Sequence, residues 1–254
     1  MSLVAPTEFP VAALKRFHRH LGELGQSDLG MSSAAAATFA EEACALLSED
    51  HDFTRLSTHL ESSGIRERWN RACALRRAAE IGNWTAPHVR GRLMDLLCGD
   101  GRVGENLARR GFDTTLIERQ ETYGVDRAAH SAPFTLFEED GTLPEVDTVL
   151  LSTVLHHEPD ADALLKRAAA AARRRLILVE NCLEAAYPAE FQEFMDLFFN
   201  HCLNHNDLDS PMSHRTPDDW IEACAFYGSP IVVERKERLP GIPLSHHLIV
   251  IERR

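Results

Sequence analysis

Residues 93–104 read Leu-Met-Asp-Leu-Leu-Cys-Gly-Asp-Gly-Arg-Val-Gly, and no other stretch restricts the fold as strongly. A short apolar run carrying one acid passes through a glycine-containing turn into a helical segment. Gly99 and Gly101 lack a Cβ, so the backbone there can turn tightly and let a ligand approach. Glu118 closes the next apolar run, Thr114–Glu118. A carboxylate in that position accepts hydrogen bonds from the two ribose hydroxyls in dinucleotide-binding folds. Gly99, Gly101 and Gly104 also satisfy G-x-G-x-x-G, so a nicotinamide-binding Rossmann domain stays open here.

The pattern around this segment is strand–helix alternation. Leu93–Leu97, Thr114–Glu118, Phe134–Phe137, Asp147–Leu151 and Leu176–Glu180 are predicted strands, and Val103–Arg110 and Asp160–Arg174 predicted helices. The second helix has acids in its first turn, and the Arg173–Arg175 cluster is expected at its negative end. Nearly continuous apolar strands indicate a parallel sheet covered on both faces. Ile231–Leu239 and His246–Glu252 are joined by a Pro-Gly-Ile-Pro turn. So short a connection suits an antiparallel pair, because a parallel one needs a long crossover.

The first 82 residues differ, reading as helices on apolar periodicity. Pro10–Leu24 carries Val11, Leu14, Phe17 and Leu21, Ser32 or Ser33 is placed to cap a second helix through Leu47, and Ile65–Ile81 supplies a third. Gly82–Asn83 is expected to break that helix, and Pro87 to mark a turn. The expected organisation is a helical cap, 1–82, and a ligand-binding domain, 83–254, with a helical insertion at 187–215.

Composition narrows the function classes. A net charge of −12 disfavours a nucleic-acid partner, since a phosphate backbone rewards clustered Lys and Arg. The longest apolar runs are too short to span a bilayer, and the N-terminus lacks the features of a signal peptide. Six cysteines without a C-x-x-C pair fit reduced thiols in a cytoplasmic protein.

Taken in order, these pieces resemble the class I S-adenosylmethionine-dependent methyltransferases, in which a strand–D-x-G-x-G-x-G–helix segment holds the cofactor. Asp95, Gly99 and Gly101 match that motif, while Leu97 stands where the family has its first glycine. Glu118 corresponds to the ribose-binding acid. Asp140, in Glu-Glu-Asp-Gly-Thr-Leu-Pro, resembles the acid that meets the adenine amino group. Ser152-Thr153-Val154-Leu155-His156-His157 resembles the "vLHH" signature after strand four, and the terminal hairpin matches the antiparallel strand seven. Nicotinamide-binding domains lack such a last strand.

The resemblance covers about residues 65–254. It implies a Rossmann-like α/β three-layer sandwich: a mostly parallel seven-stranded sheet with an antiparallel last strand, plus the N-terminal helices. It also implies S-adenosylmethionine held by Asp95, Cys98, Gly99, Gly101, Glu118, Asp140 and Ser152.

Ligands of open α/β sheets bind beyond the carboxyl ends of the strands, which puts His156, His157 and Glu180-Asn181 beside the methyl donor. In the insertion, Phe191, Phe194, Met195, Phe198, Cys202 and His205 share one helical face with His201 at its edge. That stripe reads either as core packing or as a pocket wall ending in polar groups. His157 and His205 are therefore the expected catalytic bases, and His156, Asn181, His201 and Arg215 the expected substrate-binding residues. Arg215 serves either as a clamp for an anionic group or as a surface ion pair. His201, His205 and His214, with Asp207 or Asp209, have loose metal-ligand character, but no motif fixes a site and no metal is expected.

The expected reaction is methyl transfer to oxygen or nitrogen of a small metabolite, anionic ones and natural-product intermediates included. Homodimerisation is allowed. Two further readings stay open: a fold relative using bound S-adenosylmethionine for cyclisation or elimination, and a non-catalytic cofactor-binding module.

Overall fold

The computed structural model describes residues 11–50, 53–119, 131–139, 141–185, 187–204 and 213–254. The helices are α1 (Val11–Glu23), α2 (Ser33–Asp50), α3 (Thr54–Ser62), α4 (Ile65–Trp69), α5 (Leu75–Thr85), α6 (Arg102–Arg109), α7 (Ala161–Ala171), α8 (Ala189–Phe198) and α9 (Pro217–Ala225). The strands are β1 (Leu93–Leu96), β2 (Thr114–Glu118), β3 (Phe134–Leu136), β4 (Val146–Ser152), β5 (Ala172–Glu180), β6 (Gly228–Lys236) and β7 (His246–Arg253). The chain divides into two compact units. One comprises Met1–Arg77, Glu184–Asp209 and Arg238–Leu244; the other comprises Ala78–Leu183, Ser210–Glu237 and Ser245–Arg254.

The second unit holds the sheet, in the order β3-β2-β1-β4-β5-β7-β6. Strands β1 to β5 are mutually parallel, and β7 runs antiparallel to both β5 and β6. Side chains alternate across the sheet. Met94, Leu96, Ile117, Val149, Leu151, Leu176, Leu178, Ile249 and Ile251 face a core shared with Leu164 and Ala168 of α7 and Trp220 of α9. On the opposite face Asp95 and Leu116 meet α6 at Gly104. There α5 packs beside α6, with the Arg110 guanidinium donating to the Gly82 carbonyl at 2.8 Å. The result is the expected three-layer sandwich with one antiparallel strand.

In the first unit, Phe17, Leu21, Leu24, Phe39, Leu47, Leu56 and Leu60 bury against Phe191, Phe194, Met195 and Phe198. Phe17 meets Phe194 and Phe198 edge-on, at 5.0 and 4.9 Å. The apolar stripe of α8 is thus core. Buried Arg66 ties the unit together, donating to the carbonyls of Cys202 and Ser57, both at 2.8 Å. Helix α3 was not foreseen, because two buried leucines over nine residues make a weak periodic signal.

Two local expectations are corrected. The break at Gly82–Asn83 does not occur, and α5 runs on to Thr85. Gly82 is there for closeness, since a Cβ would lie 2.3 Å from the Asn106 Oδ1. Arg173–Arg175 are not at a helix end: α7 stops at Ala171 and the arginines open β5. They pair instead with carboxylates beside them, Arg173 with Glu145, Arg174 with Asp147 and Arg175 with Glu252. Strand pairing with β4 and β7 outweighs the helix-end preference of three cations.

Candidate active site

The glycine turn after β1 is held by hydrogen bonds from both sides. Cys98 N–H donates to Ile117 O at 3.0 Å, and Gly101 N–H to Cys98 O at 2.9 Å. Gly101 (φ +73°) caps α6 in the left-handed region. Gly99 (φ +56°) has open space where a Cβ would stand, so its backbone is accessible to a ligand. Gly104 has the opposite role: a Cβ there would come within 2.3 Å of Leu116, so glycine lets α6 lie against the sheet. Leu97, at the family's first-glycine position, also adopts φ +53°. Its buried side chain lies in the core, which offsets a conformation that costs an L-residue roughly 1–2 kcal/mol.

Two carboxylates organise this turn. Asp95 is buried, and its Oδ2 accepts from Gly104 N–H at 2.8 Å. Its Oδ1 is shielded and has no hydrogen-bond partner among the described residues. Burial, together with the charges of Asp100 and Glu118 and against the Gly104 N–H, pushes its carboxyl up to about 7. Glu118, at the end of β2, accepts from Gly99 N–H and from Arg119 N–H, both at 2.7 Å. A carboxylate oxygen has two lone pairs and can accept more than one hydrogen bond.

A second cluster stands at the ends of β4 and β5. Ser152 closes β4, and Thr153 adopts φ +54°, its N–H donating to Val179 O at 2.7 Å. The short turn that follows is gathered by Glu180. One carboxylate oxygen accepts from Val154 and Leu155 N–H at 3.0 and 2.9 Å, and the other meets His156 Nδ1 at 2.6 Å. Burial drives the Glu180 carboxyl up, yet His156 and the two N–H groups outweigh it and hold it below the usual range. The His156 ring lies 4.0 Å from that of His157 and 4.6 Å from that of His214, between centroids. His157 is half-buried and Asn181 buried.

Arg119 bridges the two clusters. Its guanidinium holds Glu158 in a two-pronged pair at 2.6 and 2.8 Å. It also lies 5.0 Å from the Phe137 ring, which Arg167 approaches at 4.3 Å.

The structure therefore brings together Asp95, Cys98, Gly99, Gly101 and Glu118 around one turn, and His156, His157 and Asn181 at the ends of β4 and β5. Arg215 pairs with Asp162 at 2.7 Å and stacks on Trp220 at 4.6 Å, the ion-pair alternative. His201 lies in the other unit, stacked on Phe53 at 6.1 Å. Asp140, His205, Asp207 and Asp209 lie outside the described residues. No role was assigned to Glu180, Glu158 or Arg119. For Glu180 a signal existed: an acid ending a buried apolar strand must find donors.

No family model and no curated protein matches the chain. Solved structures do. Magnesium protoporphyrin IX methyltransferase of Synechocystis PCC 6803, with S-adenosylhomocysteine bound, is 17% identical at a TM-score of 0.56, over 80% of this chain and 100% of that one. Mitomycin 7-O-methyltransferase is 19% identical at 0.55, over 94% and 84%. The 1,6-didemethyltoxoflavin-N1-methyltransferase of Burkholderia thailandensis is 20% identical at 0.51, over 78% and 87%. At such identities the likeness establishes the fold, which is that of the class I methyltransferases.

Proposed function

We propose that this chain is an S-adenosylmethionine-dependent methyltransferase acting on an oxygen or nitrogen of a small molecule. The observation that carries the reading is Glu118 closing over Gly99: a strand-end carboxylate locked onto the glycine turn after β1, where the space a Cβ would fill is open. The residues fit the cofactor's polar groups. Glu118 is a carboxylate at the strand end, an acceptor of the kind that two ribose hydroxyls require, and the unpartnered Asp95 Oδ1 suits a cationic ammonium group. Cys98, Gly101, Ser152 and Asp140 complete the set carried over from the family resemblance.

When bound, S-adenosylmethionine supplies an electrophilic methyl group on sulfonium. The chain's own task is alignment of the acceptor, with a base only where the acceptor must lose a proton. His157, half-buried at the end of β4, is the candidate base. His156, held by Glu180, and Asn181 are candidate orienting groups. The small-molecule reading is supported by the three similar solved structures, whose names specify magnesium protoporphyrin IX, mitomycin and 1,6-didemethyltoxoflavin. No helix among the described residues is long and apolar enough to cross a membrane.

The test is turnover of labelled S-adenosylmethionine with a metabolite panel, following S-adenosylhomocysteine, together with calorimetry on Glu118→Ala. The substitution should weaken cofactor binding by about 1.5–3 kcal/mol, the scale of a hydrogen bond to a charged group. A folded wild-type chain that binds no S-adenosylmethionine would end the proposal.

A further inference from the structure

Arg119 follows the strand-end acid Glu118 and reaches the turn that carries His157. Its main-chain N–H donates to one Glu118 oxygen while Gly99 N–H donates to the other, both at 2.7 Å. Its guanidinium donates from Nη1 and Nη2 to the two oxygens of Glu158, at 2.6 and 2.8 Å. Glu158 is the residue after His157; it is buried, and its own N–H closes the turn on Leu155 O at 3.1 Å. A single residue thus holds two carboxylates, one beside the glycine turn and one beside the candidate base.

The guanidinium has little freedom left. Its Nε donates to Glu139 at 2.5 Å, and its carbon lies 5.0 Å from the centre of the Phe137 ring. Phe137 is fixed in turn, its N–H donating to the Glu118 carbonyl at 2.8 Å. Arg167 approaches the same ring at 4.3 Å and donates to the carbonyls of Glu138 and Gly141. A two-pronged arginine–carboxylate pair fixes orientation as well as distance. Stability alone does not account for it, because a buried ion pair is often no better than apolar groups of the same shape. What the pair adds is a defined geometry between the end of β2 and the turn after β4.

We propose that Arg119 is a positioning residue for methyl transfer: through Glu158 it sets the turn that presents His157, and it ties that turn to the Glu118 carboxylate, so that occupation of Glu118 is felt at the His157 ring. The inference rests on the cofactor reading above. Hydroxyls that hydrogen-bond to Glu118 act on the carboxylate that the Arg119 N–H holds, and any shift of that contact reaches residue 158 through one rigid side chain. All the residues involved lie in the unit that holds the sheet.

The test follows the His157 ring by NMR in the full chain, its signals assigned with His157→Gln, while S-adenosylhomocysteine is titrated and its affinity read by calorimetry. In the wild type the ring signals should shift saturably. In Arg119→Gln the ligand should still bind, since the N–H that Glu118 accepts belongs to the main chain, but most of the His157 shift should be lost. Arg119→Lys, whose point charge cannot form the fork, should keep part of it. Glu158→Gln should lose as much as Arg119→Gln, and the double variant no more than either, as for two residues acting through one contact. A merely stabilising pair would lower the melting temperature of these variants and leave the shift intact. The proposal is overturned if the wild-type ring does not respond to bound ligand, or if it responds equally in Arg119→Gln. Should Arg119→Gln fail to fold, Arg119→Lys and Glu158→Gln give the same comparison. A wild-type chain that binds no S-adenosylhomocysteine removes the cofactor reading and the proposal with it. Binding with a His157 response independent of Arg119 removes the proposal alone.

Discussion

His156 Nδ1 lies 2.6 Å from a carboxylate oxygen of Glu180, with the two side chains 2% and 0% exposed. The same carboxylate receives the N–H groups of Val154 and Leu155. One acid at the end of β5 therefore shapes the turn after β4 and orients the ring that turn presents. An isolated carboxylate at this depth would be far too costly to keep ionised. Three donors make it tenable.

Glu180→Ala should destabilise the fold by about 3–5 kcal/mol, the scale for breaking a buried pair and leaving its partners unmet. The pH dependence has a definite sign. Because the folded Glu180 carboxyl is held below its ordinary 4.5, its contribution is complete above that value and is lost as pH falls through the lower folded value. Urea unfolding across an acid series should show wild-type stability dropping below pH 4.5, with a shallower drop in Glu180→Gln. Equal slopes would remove Glu180 as the cause.

Asp95 has the reverse sign. Its folded carboxyl titrates near about 7 against an ordinary 3.8, so the folded state holds the extra proton between those values and stability falls as pH rises across that window. Asp95→Asn keeps an acceptor for Gly104 N–H without the charge. The ligand-free variant should be more stable than wild type at pH 8, and the advantage should disappear near pH 4. Wild-type affinity for S-adenosylmethionine should rise as pH passes 7, and the variant's should not. Melting curves and calorimetry at the two pH values test both halves.

Leu97 and Thr153 share a left-handed backbone but differ in burial. Leu97→Gly relieves roughly 1–2 kcal/mol of conformational cost but loses a core side chain that contributes about 2–5 kcal/mol. It should be destabilised. Thr153→Gly relieves the same conformation, losing only a half-buried side chain whose hydroxyl donates to the Ser152 carbonyl, and should change stability by less than about 1 kcal/mol. Denaturant midpoints of the two variants give the comparison; similar losses in both would contradict it.

His157→Ala should leave cofactor affinity near the wild-type value and cut single-turnover rate by about 10²–10⁴, the usual effect of removing a general base. A folded variant with normal turnover removes His157 from the chemistry. A variant with lowered melting temperature but normal rate assigns the ring to packing.

The sheet was legible because its signals are local. Apolar runs of four to seven residues, a glycine turn at 97–101 and an acid ending β2 each follow from the backbone needs of neighbouring residues, and the short final hairpin allowed only antiparallel pairing. The tight turn expected at Gly99 and Gly101 is present for the same reason: both adopt a positive φ, which costs glycine less than any other residue. Gly82 was misread because its need for glycine comes from Asn106 on another helix, which no local pattern reveals. Arg173–Arg175 were misplaced likewise: their partners Glu145, Asp147 and Glu252 are set by strand register, not by sequence distance.

Side-chain assignment at the site divides along the same line. That Glu118 ends a strand and the two histidines follow one could be read from the chain; that Glu180 grips His156, or that Arg119 grips Glu158, could not. Such pairs join residues far apart in sequence, and burial forces them on each other only once the sheet has brought them within reach. Local sequence determined the elements and the glycine turn, because backbone propensity and apolar periodicity act over a few residues. Tertiary structure alone decided which buried charges and donors meet, because their energies depend on desolvation and on distances of a few ångströms.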